Sequence, residues 1–410
     1  MTLLSVSEAR DRILSQFQAV KTETLPLVDS LHRVLAQDVR AQDDLPLFDN
    51  SSMDGFALRA EDVNGAVPAF PRSLRVVADI PAGSSPAIVI APGEAARIMT
   101  GAHLPEGADA VVPVEDTDFH NRDAGTPAPE QVAVGKAVTP GENIRRRGMD
   151  LHSGDVVLQA GRQLKPQDLG LLAMLGVSSV AVYRKPRVAL LSSGDELVEP
   201  DAPLEKGKIR DSNSYTLAAL IESIGAEALR LGVAKDNYES VRLLFERAVY
   251  LQSDLILSSA GVSVGAFDFV KDVIESDGKL DFWRVNMRPG KPVAFGRYKG
   301  IPVIGLPGNP VSAFVGFEVF VRPAIQKLGG DLSGGRQIVR VRCEEQIDSD
   351  GRESYLRGEI REVDGSLAAR LTGHQGSGNL HSLVQANALL IIPAGVKCVP
   401  AGQEINAWIL

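Results

Sequence analysis

The stretch DLILSSAGVSVGAFDFVKDVIES, Asp254 to Ser276, decides the architecture. An apolar run, Leu255-Ile256-Leu257, ends in two serines. A turn carrying Gly261 and Gly265 follows, and Phe269, Val270, Val273 and Ile274 then recur at helical spacing. This reads as strand, polar turn, helix. Glycine reaches positive φ and lets a ligand come close to the backbone. The first N–H groups of the helix lack internal partners and favour anions. Ser258, Ser259 and Ser263 add hydroxyls. The turn is therefore a candidate cradle for phosphate or a pterin-like edge. Asp268 does not belong in a purely anionic site. It fits a divalent cation bridging carboxylate and phosphate, or a carboxylate that answers the helix dipole.

The same alternation extends on both sides. RVALLSSGDEL (187–197) reads as a strand ending in a polar turn. SNSYTLAALIESIG (212–225) reads as a helix with Ser212 or Asn213 as cap and Gly225 as stop. EALRLGVAKD, DLILSSAG, KLDFWRVNM and IPVIGLPG read as strands, and ESVRLLFERAVYL, FDFVKDVIES and NPVSAFVGFEVFVRPAIQKLG as helices. Strands alternating with helices of this length predict a doubly wound parallel sheet over 185–330. Ligands of such sheets sit beyond the C-terminal strand ends. SSGDEL (192–197), SSAGVSVGAFD (258–268) and LPGNPVSAF (306–314) fall there. Asp195, Glu196 and Asp236 lie at or just after strand ends and are candidates to join Asp268. Asn309-Pro310 is a good helix start in its own right. Arg288 and Lys291, held between prolines and a glycine in RPGKP, suit an oxyanion such as phosphate or molybdate. As a plain exposed basic loop they would need no ligand.

The amino-terminal half has another texture. Residues 5–20 read as an amphipathic helix opened by a Ser5/Glu8 capping box. A second helix is predicted around Ser30 to Asp38, with Leu31, Val34 and Leu35 on one face. From about Ala66 to Val138, short strands are broken by Pro and Gly, as in a small inserted β domain. QLKPQDLGLLAMLGV (163–177) returns to helix. FDNSSMDGFALR (48–59) mixes acid, amide and aromatic groups in a turn, a composition frequent at functional loops and at buried domain junctions. The arginine run in GENIRRRGMD (141–150) is of the kind usually solvated or paired with acids. After Gly334-Gly335 the chain reads as strands to its end. The expected class is multidomain α/β. An elongated N-terminal segment (1–49 with 140–184) carries an inserted β-rich domain (50–139). The doubly wound domain (185–330) and a small C-terminal all-β, barrel-like domain (331–410) follow.

Composition narrows the function. The 410 residues are 44% hydrophobic and 23% charged, ordinary for a globular chain with real cores. The net charge of −9 argues against non-specific nucleic-acid binding, but a local pocket can still take an anion. Two cysteines, Cys343 and Cys398, make no disulfide framework, and the six histidines show no zinc spacing. Glu8 and Asp11 rule out a signal-peptide pattern, and no apolar run is long enough to span a bilayer. A cytoplasmic location without membrane contact is expected. No phosphate-loop, dinucleotide or serine-elbow fingerprint is present. The residues alone define an enzyme or binder of a phosphorylated ligand, with Mg²⁺ as companion.

Taken together, FDNSSMDGFALR, RIMTGAHLPEGADAVVPVED, GENIRRRGMD, SSGDEL, SSAGVSVGAFDF, RPGKP and GLPGNPVSAF resemble, in order and spacing, the MoeA-type molybdopterin molybdenumtransferases, homologues of the gephyrin E domain. The resemblance spans nearly the whole chain. It implies insertion of molybdate into adenylylated molybdopterin, with Mg²⁺ assisting the release of AMP. By the same resemblance, Ser259, Gly261, Ser263, Gly265 and Pro307 line the pterin–phosphate site. Asp268 and Asp195, with Glu196 and Asp236, would handle Mg²⁺ and the phosphates, and Lys271 and Lys291 would hold anionic groups. Arg357 in YLRGE and Ser377 in HQGSGNL would belong to a molybdate pocket. The family resemblance further implies a homodimer that brings Asp54, Thr100 and Asp150 to the partner's cleft. It implies exchange with a molybdopterin adenylyltransferase and with molybdoenzyme acceptors. Ala260 stands where the family usually shows glycine, which would strain a positive φ, and Ser193 stands where threonine is common. Two rival functions are a molybdopterin adenylyltransferase, normally a smaller single domain, and a scaffold with a vestigial pocket.

Overall fold

Between Arg187 and Leu306 six strands build one sheet: β1 (Arg187–Ser193), β2 (Glu227–Ala234), β3 (Leu255–Ser259), β4 (Gly278–Arg284), β5 (Pro292–Tyr298) and β6 (Ile301–Leu306). The computed structural model describes residues 3–120, 125–260 and 269–410. The strand order is β2-β1-β3-β6-β5-β4. β2, β1, β3 and β6 run parallel; helix α1 (Asn213–Ser223) connects β1 to β2, α2 (Tyr238–Tyr250) connects β2 to β3, and α3 (Phe269–Ser276) leads from β3 into β4. β5 alone runs against the other five, so it pairs antiparallel with both β4 and β6 inside the expected doubly wound sheet. The cause is local. Lys299 and Gly300, both at positive φ, close a two-residue hairpin between β5 and β6, and such a turn can only join antiparallel strands.

Alternation along the strands feeds two cores. Val188, Leu190, Leu255 and Leu257 meet Leu217 and Ile221 of α1, together with Val311 and Val315 of α4 (Pro310–Gly316). Ala189, Leu191 and Ile256 meet Val241 and Phe245 of α2 and Val270 and Val273 of α3. Each fully buried Leu or Ile is worth about 1.5–3 kcal/mol, so the sheet is anchored on both faces. After α4 the helical path continues through one π-helical turn, Phe317–Val321, into the helix Arg322–Leu328.

The chain forms two compact units, Met1–Gln37 with Gln159–Leu410, and Asp38–Leu158. In the first, the helix Val6–Ser15 opens with the expected capping box, and Ile13 and Phe17 enter the core beneath the sheet. The second predicted helix is absent. His32 takes positive φ, while Val34 and Leu35 make strand-like bridges to Gln163 and Val182. Cross-chain pairing overrides the helical spacing of Leu31, Val34 and Leu35. The helix Pro166–Met174 is present as read.

At the carboxyl end the strand Glu353–Val363 pairs with both Ser366–Leu371 and Ala388–Ile392. With Ile338–Cys343 and Glu404–Ile409 this closes a five-strand barrel, bearing out the barrel-like expectation. In the second unit, the sheet order is Ala110–Pro113, Gly55–Leu58, Glu94–Ile98, Arg72–Ile80, Gln131–Val134. The glycine of the MDGF turn is obligatory, because a Cβ on Gly55 would lie 1.9 Å from the Val112 carbonyl oxygen.

Candidate functional site

Beyond the C-terminal ends of β1, β3 and β6 lies an open cavity of ≈ 410 Å³. Glu196, Asn213, Ser259, Ala260, Pro307 and Asn309 are among its lining residues. Three of the expected residues, Glu196, Ser259 and Pro307, thus meet at one place. Ser259 is buried at the end of β3, in register with Ser192 of β1. Asn213, the first residue of α1, donates from Nδ2 to Ser259 Oγ (2.8 Å) and to the Gly308 carbonyl (2.7 Å). Ala260 sits at φ 71°, the left-handed region, and its N–H donates to the Leu306 carbonyl (3.0 Å). The strain expected of alanine at this position is therefore present, at about 1–2 kcal/mol.

Asp195 and Asp236 leave the adjacent strands β1 and β2 and hold each other. The Asp236 N–H donates to Asp195 Oδ1 (3.3 Å) and the Asp195 N–H to Asp236 Oδ2 (3.4 Å). Lys208 Nζ donates to the Asp195 carbonyl (2.6 Å). These are hard oxygen donors of the kind Mg²⁺ takes. Among the described residues, however, no group of three or more acids, histidines or cysteines is arranged around a common point. Gly261, Ser263, Gly265 and Asp268 lie outside the described residues. Lys271 is in the first turn of α3, half-buried, and does not line the cavity. Lys291 is exposed, next to the lining residue Pro292, and its carbonyl accepts from Val285 N–H (2.9 Å).

The barrel contributes a buried cation. Arg357 is fully buried. Its Nε donates to Ser382 Oγ (2.9 Å), Nη1 to the Gln375 carbonyl (3.2 Å), and Nη2 to the His374 (3.1 Å) and Gly376 (3.0 Å) carbonyls. Among the described residues no carboxylate pairs with it. Burial, and after it the neighbouring Arg288, push its pKa down to about 10. Arg357 thus shapes the 374–376 loop. The next residue, half-buried Ser377, accepts the Val311 N–H of α4 at its carbonyl (3.0 Å). Arg288 in turn pairs with Ser354 in a parallel bridge, which brings RPGKP against the barrel. None of Arg357, Ser377, Arg288 and Lys291 lines the cavity itself; Ser377 reaches α4 through its carbonyl, and Lys291 precedes the lining residue Pro292. A buried cation without a counter-ion favours an anion beside it.

In the second unit, Asp54 Oδ1 accepts from the Thr100 N–H (2.7 Å) and Thr100 Oγ1 (2.8 Å), so these two expected residues do meet. Asp150 is ion-paired with Arg145 (2.7 Å). Arg146 pairs with Asp49 and Arg147 with Asp44, so all three arginines of the run are matched by acids, as its type predicts.

Asn213, Arg210 and Asp211 were not singled out as site residues by sequence reading, yet all three line the cavity. Asn213 was legible only as a helix cap. The polar run RDSN immediately before a helix, at a strand end, was the available signal. A second and larger cavity, ≈ 790 Å³, is lined by Glu318, Arg322, Arg336 and Trp408. Of its acids, Glu318 is already bound by both arginines.

Fold and site define a multidomain α/β protein with a polar cavity at the strand ends of a doubly wound sheet. Three family profiles match in chain order: the MoeA N-terminal region (domain I and II) over residues 4–176, a probable molybdopterin binding domain over 189–327, and the MoeA C-terminal region (domain IV) over 340–410. The chain is 41% identical over 391 residues to a molybdopterin molybdenumtransferase of Nostoc sp., covering 94% of this chain and 88% of that one. It is 39% identical over 411 residues to molybdopterin molybdenumtransferase 2 of Mycobacterium tuberculosis, covering 98% and 99%. A crystal structure of a molybdopterin biosynthesis MoeA protein from Pyrococcus horikoshii superimposes with a TM-score of 0.83 at 31% identity, covering 100% of both chains. The chain belongs to the MoeA family, the molybdopterin molybdenumtransferases of molybdenum cofactor biosynthesis.

Proposed function

We propose that this protein inserts molybdate into adenylylated molybdopterin and releases AMP. The observation that carries the reading is the strand-end cavity in which Glu196, Ser259 and Pro307 meet; the buried Arg357, with Arg288 as neighbour and no carboxylate partner among the described residues, supports it. In the reaction the two dithiolene sulfurs bind molybdenum, and one molybdate oxygen departs as water with the thiol protons. Water opens the phosphoanhydride, giving AMP and the terminal phosphate of molybdopterin. Such chemistry needs positioning and charge neutralisation more than a covalent intermediate. Ser259, Asn213 and the turn at Pro307 would orient the pterin and phosphate. Arg288, Lys291 and the loop held by Arg357, with Ser377, would receive molybdate. Glu196, Asp195 and Asp236 would face the adenylyl end. Asp195, with Asp268, would hold a Mg²⁺ ion, which would neutralise charge on the phosphates.

The family resemblance supports a homodimer in which Asp54, Thr100 and Asp150 serve the partner's cavity. It also supports a molybdopterin adenylyltransferase as supplier and molybdoenzymes as acceptors. The deciding assay adds molybdate to the protein charged with adenylylated molybdopterin and quantifies AMP, with and without EDTA. Molybdate-triggered AMP release is expected. Adenylylation of molybdopterin from ATP would move the protein one step earlier, and the absence of any AMP would make it a scaffold. Sedimentation at micromolar concentration tests the dimer.

A further inference from the structure

Asn213 does more than start a helix. Its amide nitrogen has two hydrogens, and both are committed, one to Ser259 Oγ and one to the Gly308 carbonyl. A carbonyl only accepts, so the group facing Gly308 must be NH2 rather than the amide oxygen. The same nitrogen faces Ser259, which must therefore accept as well. The Ser259 proton is then left over. Ser259 is buried, it lines the cavity, and among the described residues nothing accepts that proton. The two turns that Asn213 joins are also packed tightly. A Cβ on Gly308 would stand 3.2 Å from the Cβ of Ala260, and the Ala260 N–H is bound to Leu306 at the end of β6.

We propose that Asn213 is a positioning residue that ties the ends of β3 and β6 together and forces Ser259 to act as a hydrogen-bond donor into the cavity. The ligand atom that Ser259 meets is then an acceptor, a phosphate oxygen or a pterin carbonyl. This inference rests on the molybdopterin reading for its ligand, but the tie itself is a property of the free protein.

The test compares Asn213→Ala, Asn213→Asp and Ser259→Ala. Aspartate at the first position of α1 suits the helix dipole, so a role confined to starting the helix predicts that Asn213→Asp is harmless. A tie of the proposed kind predicts the opposite. The new carboxylate would repel the Gly308 carbonyl and capture the Ser259 proton. Molybdopterin binding, followed by equilibrium dialysis, should weaken about tenfold in Asn213→Ala and Ser259→Ala, the effect of one lost hydrogen bond, and further in Asn213→Asp. The Asn213→Ala/Ser259→Ala double variant should be little worse than either single one. Native-like binding by Asn213→Asp, or fully additive losses, would overturn the proposal. Hydrogen exchange in the ligand-free protein provides a separate check. The Ala260 amide should exchange faster in Asn213→Ala than in the unaltered chain, and equal rates would also overturn the tie. If the unaltered protein fails to bind molybdopterin, it is the functional reading that fails, while the exchange result still judges the tie.

Discussion

Arg322 and Arg357 are both buried, yet they keep opposite charge balances. Arg322 Nε donates to Glu318 Oε2 (2.6 Å), and Arg336 Nη2 reaches Glu318 Oε1 (2.9 Å). Burial pushes the Glu318 carboxyl up, but the two guanidiniums outweigh it and hold its pKa below the ordinary 4.5. Arg357 is held by four neutral acceptors and has no acid among the described residues. The first arrangement is complete without a ligand. The second satisfies hydrogen bonds and has no charged partner among the described residues. The first charge is balanced within the fold, whereas under the proposed function the second would be answered by molybdate.

The sharpest way to break this contrast is to exchange the phenotypes. Glu318→Ala leaves two guanidiniums buried without an acid. It should cost about 3–5 kcal/mol of stability by urea unfolding, with AMP release spared in whatever fraction stays folded. Arg357→Lys keeps the charge but loses the fork that holds the 374–376 loop. It should lower molybdate-dependent kcat/KM about 100-fold with little change in Tm. If Arg357→Lys instead unfolds the barrel while Glu318→Ala abolishes turnover, the two roles are reversed.

Acid titration sharpens the same contrast. The folded pKa of Glu318 is depressed, so its contribution is complete above the unfolded value and is lost as pH falls through the folded value. Urea midpoints of the unaltered protein should therefore drop below pH 4.5 more steeply than those of Glu318→Gln. Parallel curves would remove Glu318 from the acid transition. Smaller effects are expected at the other sites. Ala260→Gly relieves positive-φ strain but frees the unfolded chain, for a net change within about 1 kcal/mol. Thr100→Val removes one of the two hydrogen bonds on Asp54 Oδ1 and should cost under about 1 kcal/mol. A larger fall in turnover than in stability would tie Thr100 to the chemistry.

Much of this was legible because chain-local signals coincide with the fold. Strand, polar turn and helix recur from Arg187 onward, and the capping box at Ser5 and Glu8 forms as written. The antiparallel β5 was harder, because its strand signals carry no direction until the Lys299-Gly300 hairpin is recognised. Ser30–Asp38 misled through its spacing, since the partners of Val34 and Leu35 are more than 100 residues away. At the site, Glu196, Ser259 and Pro307 were readable from strand ends. Asn213 was hidden because its two acceptors come from other turns. The burial of Arg357 among carbonyls and hydroxyls depends on three-dimensional neighbours that spacing does not encode.

The division of the chain has a consequence for biosynthesis. Met1–Gln37 belongs with Gln159–Leu410, and Leu4 bridges to Val285. While the polypeptide emerges from the ribosome at about 5–20 residues per second, the Asp38–Leu158 unit can finish first. The opening helix must wait with Ile13 and Phe17 uncovered until the strands and helices that bury them have been made. Residues 1–37 thus precede the second unit in synthesis yet are seated after it, and until then the exposed Ile13 and Phe17 are where a chaperone would be needed.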